Sequence, residues 1–587
     1  MPRLPPLPDL DWPDSQNSAA PFARDHGDVY FSGEGLSEKR TVFLAGCGLP
    51  EAWAGRKHFA VGELGFGTGL NLLALWDLWR RHRPSPTARL DYLSFEGALI
   101  QKADAARIHA AWPELGDLSQ QLLASWPDRA RGFQRINLPD GVTLTLAVDD
   151  IAAAIPQARA SIDAWFLDGF APSKNPDMWS AETLTHVARL SAPNARAATY
   201  TVAGDVRRNL EAAGFSVAKM PGHGRKKERL EARLTTSRLA PAPPPKRVAI
   251  IGAGIAGACA AHAFLKRGCD VTIIDRAADP GAGASGNPLA LVMPRLDAAD
   301  GPTARALVEA WLYARRFYAA LGPDSARQLD AIHLPRGNKE QLRFAKLLGD
   351  PPLDDAILQP FEQGIRHLGA FAIRPRAALA QLIEGATSRF NTDVGSLSEL
   401  DADLVIACAG MGLADLIGAE APPLTGRLGQ LEAMPGTGSP NAIADGGYTV
   451  EALGQLVFGA TFEAASGPPQ VTDAARAHNL ETLARLRPDV EPDNITSRAA
   501  IRATTQDRLP FAGAPPHREK APDGTPAPLS PLRLIGGLGS RGFLWAPLLA
   551  ELVASEAFGE PSPVEASVAE CLDPGRFLAR AAKRGNS

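Results

Sequence analysis

Two glycine-rich loops in this chain have the residue types and spacing to cradle a nucleotide. The first is Glu63-Leu-Gly-Phe-Gly-Thr-Gly-Leu-Asn71, with Gly65, Gly67 and Gly69 between a strand pattern and a helix pattern. Missing side chains let backbone approach a ligand, and the helix N-terminus that follows favours an anion or carboxylate. The next strand pattern ends at Glu96, where a carboxylate can accept both hydroxyls of a ribose. The second loop is Gly252-Ala-Gly-Ile-Ala-Gly257, preceded by Lys246-Arg-Val-Ala-Ile-Ile251. After a helix pattern and a second strand pattern, Asp275 falls about 20 residues on, completing a βαβ dinucleotide fingerprint with Gly252, Gly254 and Gly257.

The loops differ in kind. The first has an acid, Glu63, ahead of it and Asn71 behind it, and no lysine for phosphates. It is more similar to loops that bind S-adenosyl-L-methionine than to those that bind NAD. Asp149-Asp150 follows a later strand pattern, and Asp150 can bind an adenine amino group or cap a helix. Asp168 opens Asp168-Gly-Phe-Ala-Pro-Ser-Lys-Asn-Pro-Asp-Met-Trp179 at the carboxyl edge of the expected sheet, where open α/β folds bind ligands. Methyl transfer to an amine needs a neutral lone pair, whereas an alkyl ammonium titrates near ~10. A carboxylate such as Asp168 can orient the amine and take its proton. Trp179 offers either a stacking face or a core residue.

The dinucleotide fingerprint alone fits NAD or FAD. Two more segments select FAD. Ser285, Gly286 and Asn287 close a small-residue loop that brings a second strip of backbone to the ligand. Leu534-Ile-Gly-Gly-Leu-Gly-Ser-Arg-Gly-Phe543 reads as strand, turn and helix, so Gly537, Gly539, Ser540 and Gly542 can aim another helix N-terminus at a flavin ring. Arg502 or Arg541 can grip a substrate carboxylate with its guanidinium fork.

Positioning these residues takes two domains. The 587 residues exceed what one core accommodates. Residues 1–57 read as an irregular lead-in. From Phe59 onward, strands at 59–63, 90–95, 143–148, 162–167, 195–201 and 215–218 alternate with helices at 70–82 and 204–213, predicting a parallel doubly wound sheet. The proline-rich 239–246 is a semi-rigid spacer between domains 1–238 and 247–587. Residues 280–500 are mixed, and 515–530 is a proline-rich loop. The apolar run 248–265 is broken by His262 and turn glycines, so no membrane span is expected. Five scattered cysteines without a CxxC pair suggest no disulfide framework and no metal site, which fits a reducing cytosol. Net charge is −4, so any nucleic acid must be met by a local patch. The basic run 219–229, with Arg225, Lys226 and Lys227, joins Arg207 and Arg208 as that candidate.

Together these strings resemble the MnmC family of bifunctional tRNA 5-methylaminomethyl-2-thiouridine biosynthesis proteins. The resemblance rests on Asp25-His-Gly-Asp-Val-Tyr-Phe-Ser32, 65–71, 168–179, Ala203-Gly-Asp-Val-Arg-Arg208, Gly222-His-Gly-Arg-Lys-Lys227, 283–287 and 539–542, in order along nearly the whole chain. His26-Gly27 departs from it. The second half is similar to glycine and D-amino-acid oxidases, in which an arginine before Asp-x-x-Pro holds the substrate carboxylate; Arg502, Asp507 and Pro510 match. The resemblance implies a Rossmann-like class I methyltransferase domain followed by an FAD-binding oxidoreductase domain with an α+β substrate subdomain. It implies oxidative removal of a carboxymethyl group at the tRNA wobble uridine and then N-methylation, in a cytoplasmic protein expected to be monomeric. A small-molecule amine oxidase fused to an unrelated methyltransferase is the alternative.

Overall fold

The computed structural model describes residues 2–12, 20–31, 35–224, 227–236, 243–436, 438, 440–516 and 531–585. The chain forms two compact units, Met1–Pro243 with Phe558–Ala566, and Pro244–Ala557 with Ser567–Ser587. Among the described residues no helix is long and apolar enough to cross a membrane. The apolar run that invites that reading is instead the strand Arg247–Ile251, a glycine turn and the helix Ile255–Leu265.

The first unit is built on an eight-stranded sheet. Its middle is parallel: Ser191–Thr199, Ile162–Leu167, His58–Leu64, Arg89–Glu96 and Val142–Val148, in that spatial order. Near-continuous apolar strands are what a sheet buried on both faces requires. The expected all-parallel sheet is corrected at both edges. Gly132–Asn137 joins one edge antiparallel, and the hairpin Phe215–Pro221/Glu228–Leu234 joins the other. The lead-in also needs correction, because residues 35–45 are helical and bury Leu36, Val42, Phe43 and Leu44 in the core. At Gly65 the backbone is left-handed (φ +88°), and a Cβ there would stand 2.9 Å from the Asp168 carbonyl oxygen, so only glycine joins this strand to the loop.

Residues 558–566 return to complete the first unit. Glu560 pairs with Arg89 at 2.8 Å and with Arg135 at 3.3 Å, and Arg135 donates to the Pro561 carbonyl at 2.7 Å. Asp91 lies 3.6 Å from Arg135 and accepts from His58 Nε2 at 2.6 Å. Both side chains of the Arg135–Glu560 pair are 1 % exposed. Removing Glu560 takes from two arginines, Arg89 and Arg135, the acid they share in a buried network, at a cost of about 3 kcal/mol. Glu560→Ala is therefore expected to lower the melting temperature of the full-length protein by roughly 5–10 °C. Calorimetry checks this, and an unchanged transition would show that the segment merely rests on the surface.

The second unit has two sheets. One runs Thr387–Arg389, Asp270–Ile274, Arg247–Ile251, Leu404–Ala407 and Leu532–Gly536 in parallel, with Phe511–Gly513 antiparallel at the edge. The other is a ten-stranded mixed sheet in which Thr425–Pro435 pairs antiparallel with the whole of Thr496–Thr504. Helices Pro302–Ala319, Asn338–Gly349 and Asp473–Leu486 belong to this region, whose elements were the least regular in the sequence.

Candidate functional site

In the first unit the glycine loop sits above a buried polar chain. Asn71, one residue into the helix Leu70–His82, donates from Nδ2 to Glu63 at 2.8 Å and to Asp168 at 2.7 Å. Ser94 donates to the other Glu63 oxygen at 2.6 Å. Lys39, buried, ion-pairs with the largely buried Asp168. Burial pushes the Glu63 carboxyl up to about 8, against the hydrogen bonds from Ser94 and Asn71. Burial also raises Asp168, and the Lys39 ammonium opposes that rise. Glu96 accepts from the Gly67 N–H at 2.7 Å and the Ala98 N–H at 3.0 Å, which holds its carboxylate under the loop. Asp150 takes the capping alternative: it accepts from the Ala152 N–H at 3.1 Å and is exposed, while its neighbour Asp149 is buried against Arg131. Trp179 is a core residue whose Nε1 donates to the Phe170 carbonyl at 2.8 Å, so it shapes the 168–179 loop and offers no stacking face.

In the second unit Gly252 (φ +103°) turns the chain out of its strand, where a Cβ would stand 2.5 Å from the Cys408 carbonyl oxygen. Gly257 backs directly onto the Gly252 carbonyl, packing helix against strand. Asp275 accepts from the Ala253 N–H at 2.7 Å, and Ser285 Oγ accepts from the Ile255 N–H at 3.0 Å. Gly254 faces Ser285, so the first turn of the helix Ile255–Leu265 and the 283–287 loop come together as expected. The loop after Leu532–Gly536 carries Gly537 and Gly539 in left-handed conformations and Ser540 exposed, ahead of the helix Gly542–Phe558. The Gly539 N–H donates to the Ala503 carbonyl at 2.9 Å, which brings the strand bearing Arg502 against this loop. The Arg502 guanidinium lies across Gly429, where a Cβ would be 2.3 Å from its Cζ, and donates to the Thr461 carbonyl at 3.1 Å. Among the described residues neither Arg502 nor Arg541 pairs with a carboxylate. Burial lowers both, Arg541 to about 10 with help from Arg295, Arg343 and Arg508. Asp507, by contrast, is held by Arg576 at 2.9 Å and by Arg580 at 2.5 Å, a structural anchor behind the strand.

Two domain families match this division. Residues 113–235 match an S-adenosyl-L-methionine-dependent methyltransferase family, and residues 247–556 match an FAD dependent oxidoreductase family. A tRNA 5-methylaminomethyl-2-thiouridine biosynthesis bifunctional protein MnmC from Maricaulis maris (strain MCS10) is 42% identical over 597 residues, 98% of this chain and 97% of that protein. Its counterpart in Caulobacter vibrioides is 42% identical over 96% of this chain and 97% of that protein. This chain belongs to the MnmC family. The crystal structure of an iminodiacetate oxidase from Chelativorans sp. BNC1 aligns with 54% of the chain and 96% of its own at 23% identity and a TM-score of 0.44.

Membership in the MnmC family sets the cofactors as S-adenosyl-L-methionine and FAD. The residues present fit both. Asn71 Oδ1 is buried and, among the described residues, meets no donor, leaving an acceptor for a cationic amino group beside the glycine loop. Gly254 and Gly539 leave open the space a Cβ would fill against Ser285 and Thr504, at 3.2 and 3.3 Å, a cradle of bare backbone at the two turns expected to face FAD.

Three residues of the MnmC chain escaped the sequence reading. Lys39 lies in the lead-in read as irregular. Arg498 donates to the carbonyls of Ala282 at 3.1 Å and Gly283 at 2.6 Å and to Asn287 at 3.3 Å, tying down the second dinucleotide loop. Tyr448, half-buried, interacts electrostatically with Arg502. The basic candidates behave unevenly. Arg207 pairs with Glu211 and Arg208 with Asp205 on their own helix, and Lys219 pairs with Glu228 across the hairpin at 2.8 Å. Lys227 is exposed at the hairpin tip, and Arg225 and Lys226 lie outside the described residues.

Proposed function

We propose that this protein performs two consecutive steps on the wobble uridine of tRNA. The second unit oxidises the C–N bond of a 5-carboxymethylaminomethyl-2-thiouridine. The secondary amine loses two electrons and two protons to become an imine, and water splits the imine into the aminomethyl nucleoside and glyoxylate. FAD, when bound, accepts the two electrons. Arg502 holds the substrate carboxylate, with Arg541 adding positive field. In the first unit Glu63, Glu96 and the glycines hold S-adenosyl-L-methionine, while Asp168 orients the aminomethyl nitrogen and takes its proton, and the methyl group passes to the nitrogen lone pair. The observation that carries this reading is a half-buried guanidinium that, among the described residues, has no carboxylate partner, on the strand that bonds the Gly539 loop. We further infer a cytoplasmic monomer that meets tRNA through basic surface such as Lys227. The direct test is mass spectrometry of nucleosides from carboxymethylaminomethyl tRNA treated with the flavin-loaded protein. Aminomethyl product is expected without S-adenosyl-L-methionine, and methylaminomethyl product with it; unchanged RNA would remove the reading.

Lys39 supports Asp168 as the proton acceptor. Its ammonium favours the ionised carboxylate, so removing it raises the carboxyl further. Because the ionised form is the one that accepts a proton, the rate then needs a higher pH. Lys39→Met is expected to move the acidic limb of the methylation pH–rate profile upward and to slow the reaction roughly tenfold near neutrality. Lys39→Arg should recover most of the profile. A uniform loss at every pH would assign Lys39 to packing alone.

A further inference from the structure

The strand Thr425–Pro435 runs antiparallel to Thr496–Thr504, with Arg427 directly opposite Arg502. Directly opposed residues project from the same face of a sheet. Gly429, two residues along, is the position the Arg502 guanidinium covers, so Arg427, Gly429 and Arg502 share that face. Arg502 donates to the carbonyl of Thr461. The next residue, Phe462, is 53% exposed, the most exposed of the described phenylalanines, and the Arg427 guanidinium stands over its ring at 5.6 Å from the centroid. An aromatic face paired with a guanidinium plane is the surface on which proteins stack unpaired bases, because every base has a π face and the arginine adds attraction.

We propose that Phe462 and Arg427 form a stacking platform for the base of the modified uridine, beside the arginine that holds its carboxylate. The inference rests on the oxidative step proposed above. A carboxylate gripped by Arg502 hangs from the uracil ring by a short flexible chain. The base therefore comes to rest within reach of the residue adjoining Thr461. A free amino acid has no base, so this platform favours a nucleoside splayed out of an RNA loop over a small amine.

Flavin reduction by an anticodon stem-loop RNA carrying carboxymethylaminomethyl-2-thiouridine tests this with the full-length flavin-loaded protein. Phe462→Ala is expected to raise KM roughly tenfold while kcat at saturation stays close to wild type, and Phe462→Trp is expected to restore KM. An unchanged KM in Phe462→Ala overturns the platform, as does a Phe462→Trp protein no better than Phe462→Ala. The wild type separates the two levels: if its flavin is not reduced by this RNA, the proposed function itself fails and the platform with it.

Discussion

Arg502→Ala is expected to lower kcat/KM for oxidation of the carboxymethylaminomethyl nucleoside by about 100-fold or more, while methylation of an aminomethyl RNA stays at the wild-type rate. The size follows from losing one partner of a desolvated, hydrogen-bonded charge pair, about 3 kcal/mol or more. The substitution is a clean one. Because Arg502 pairs with no carboxylate among the described residues, its removal orphans no buried acid in the free protein. Only the Thr461 carbonyl loses a donor. The alanine also relieves the close approach to Gly429. Flavin absorbance should therefore be retained. Arg502→Lys keeps a charge but not the fork, and is expected to recover only part of the loss. The measurement pairs stopped-flow flavin reduction with methyl transfer from labelled S-adenosyl-L-methionine. Equal loss of both activities would indicate misfolding, and unchanged oxidation would move the carboxylate to Arg541.

What was legible in the sequence follows from how local each signal is. The helix Leu70–His82 and the strand Ile162–Leu167 stand where periodicity puts them, because apolar spacing and flanking glycines are local properties. The loops at 65–69 and 252–257 were legible for the same reason: a tight turn leaves its glycines in sequence. Lys39 was not, because its meaning lies in Asp168, 129 residues away. The basic run at 219–229 was legible only as a composition that includes Glu228 and Glu231; the hairpin sets Lys219 beside Glu228 and the Arg229 side chain against Glu231. The return of 558–566 to the first unit left no mark at all. Glu560 is an ordinary glutamate until Arg89 and Arg135 close on it. Arg502 fell between these cases: its type and neighbours suggested a carboxylate fork, but only the pairing with Thr425–Pro435 shows why Gly429 must face it.

Asp168→Asn is expected to lower methylation by about 100-fold or more while leaving oxidation intact, so that aminomethyl nucleoside accumulates. The change keeps the shape and an acceptor oxygen for Asn71 but removes the proton acceptor. It also takes away the carboxylate that Lys39 pairs with, so a loss of activity alone does not separate chemistry from stability. The double variant Lys39→Met with Asp168→Asn does. With both charges gone the buried site is neutral, and thermal stability should return toward that of the wild type. Methylation should stay lost, because the acid that shares Asn71 with Asp168 does not replace it: Glu63 is committed to Asn71 and Ser94, and burial holds it near 8. In the wild type the acidic limb of methylation should titrate above the usual aspartate range, since burial raises Asp168 and the ionised form is needed. That limb should be absent from Asp168→Asn. Recovery of methylation in the double variant would overturn the role: Asp168 would then serve only to neutralise a buried lysine, and the amine would lose its proton directly to water.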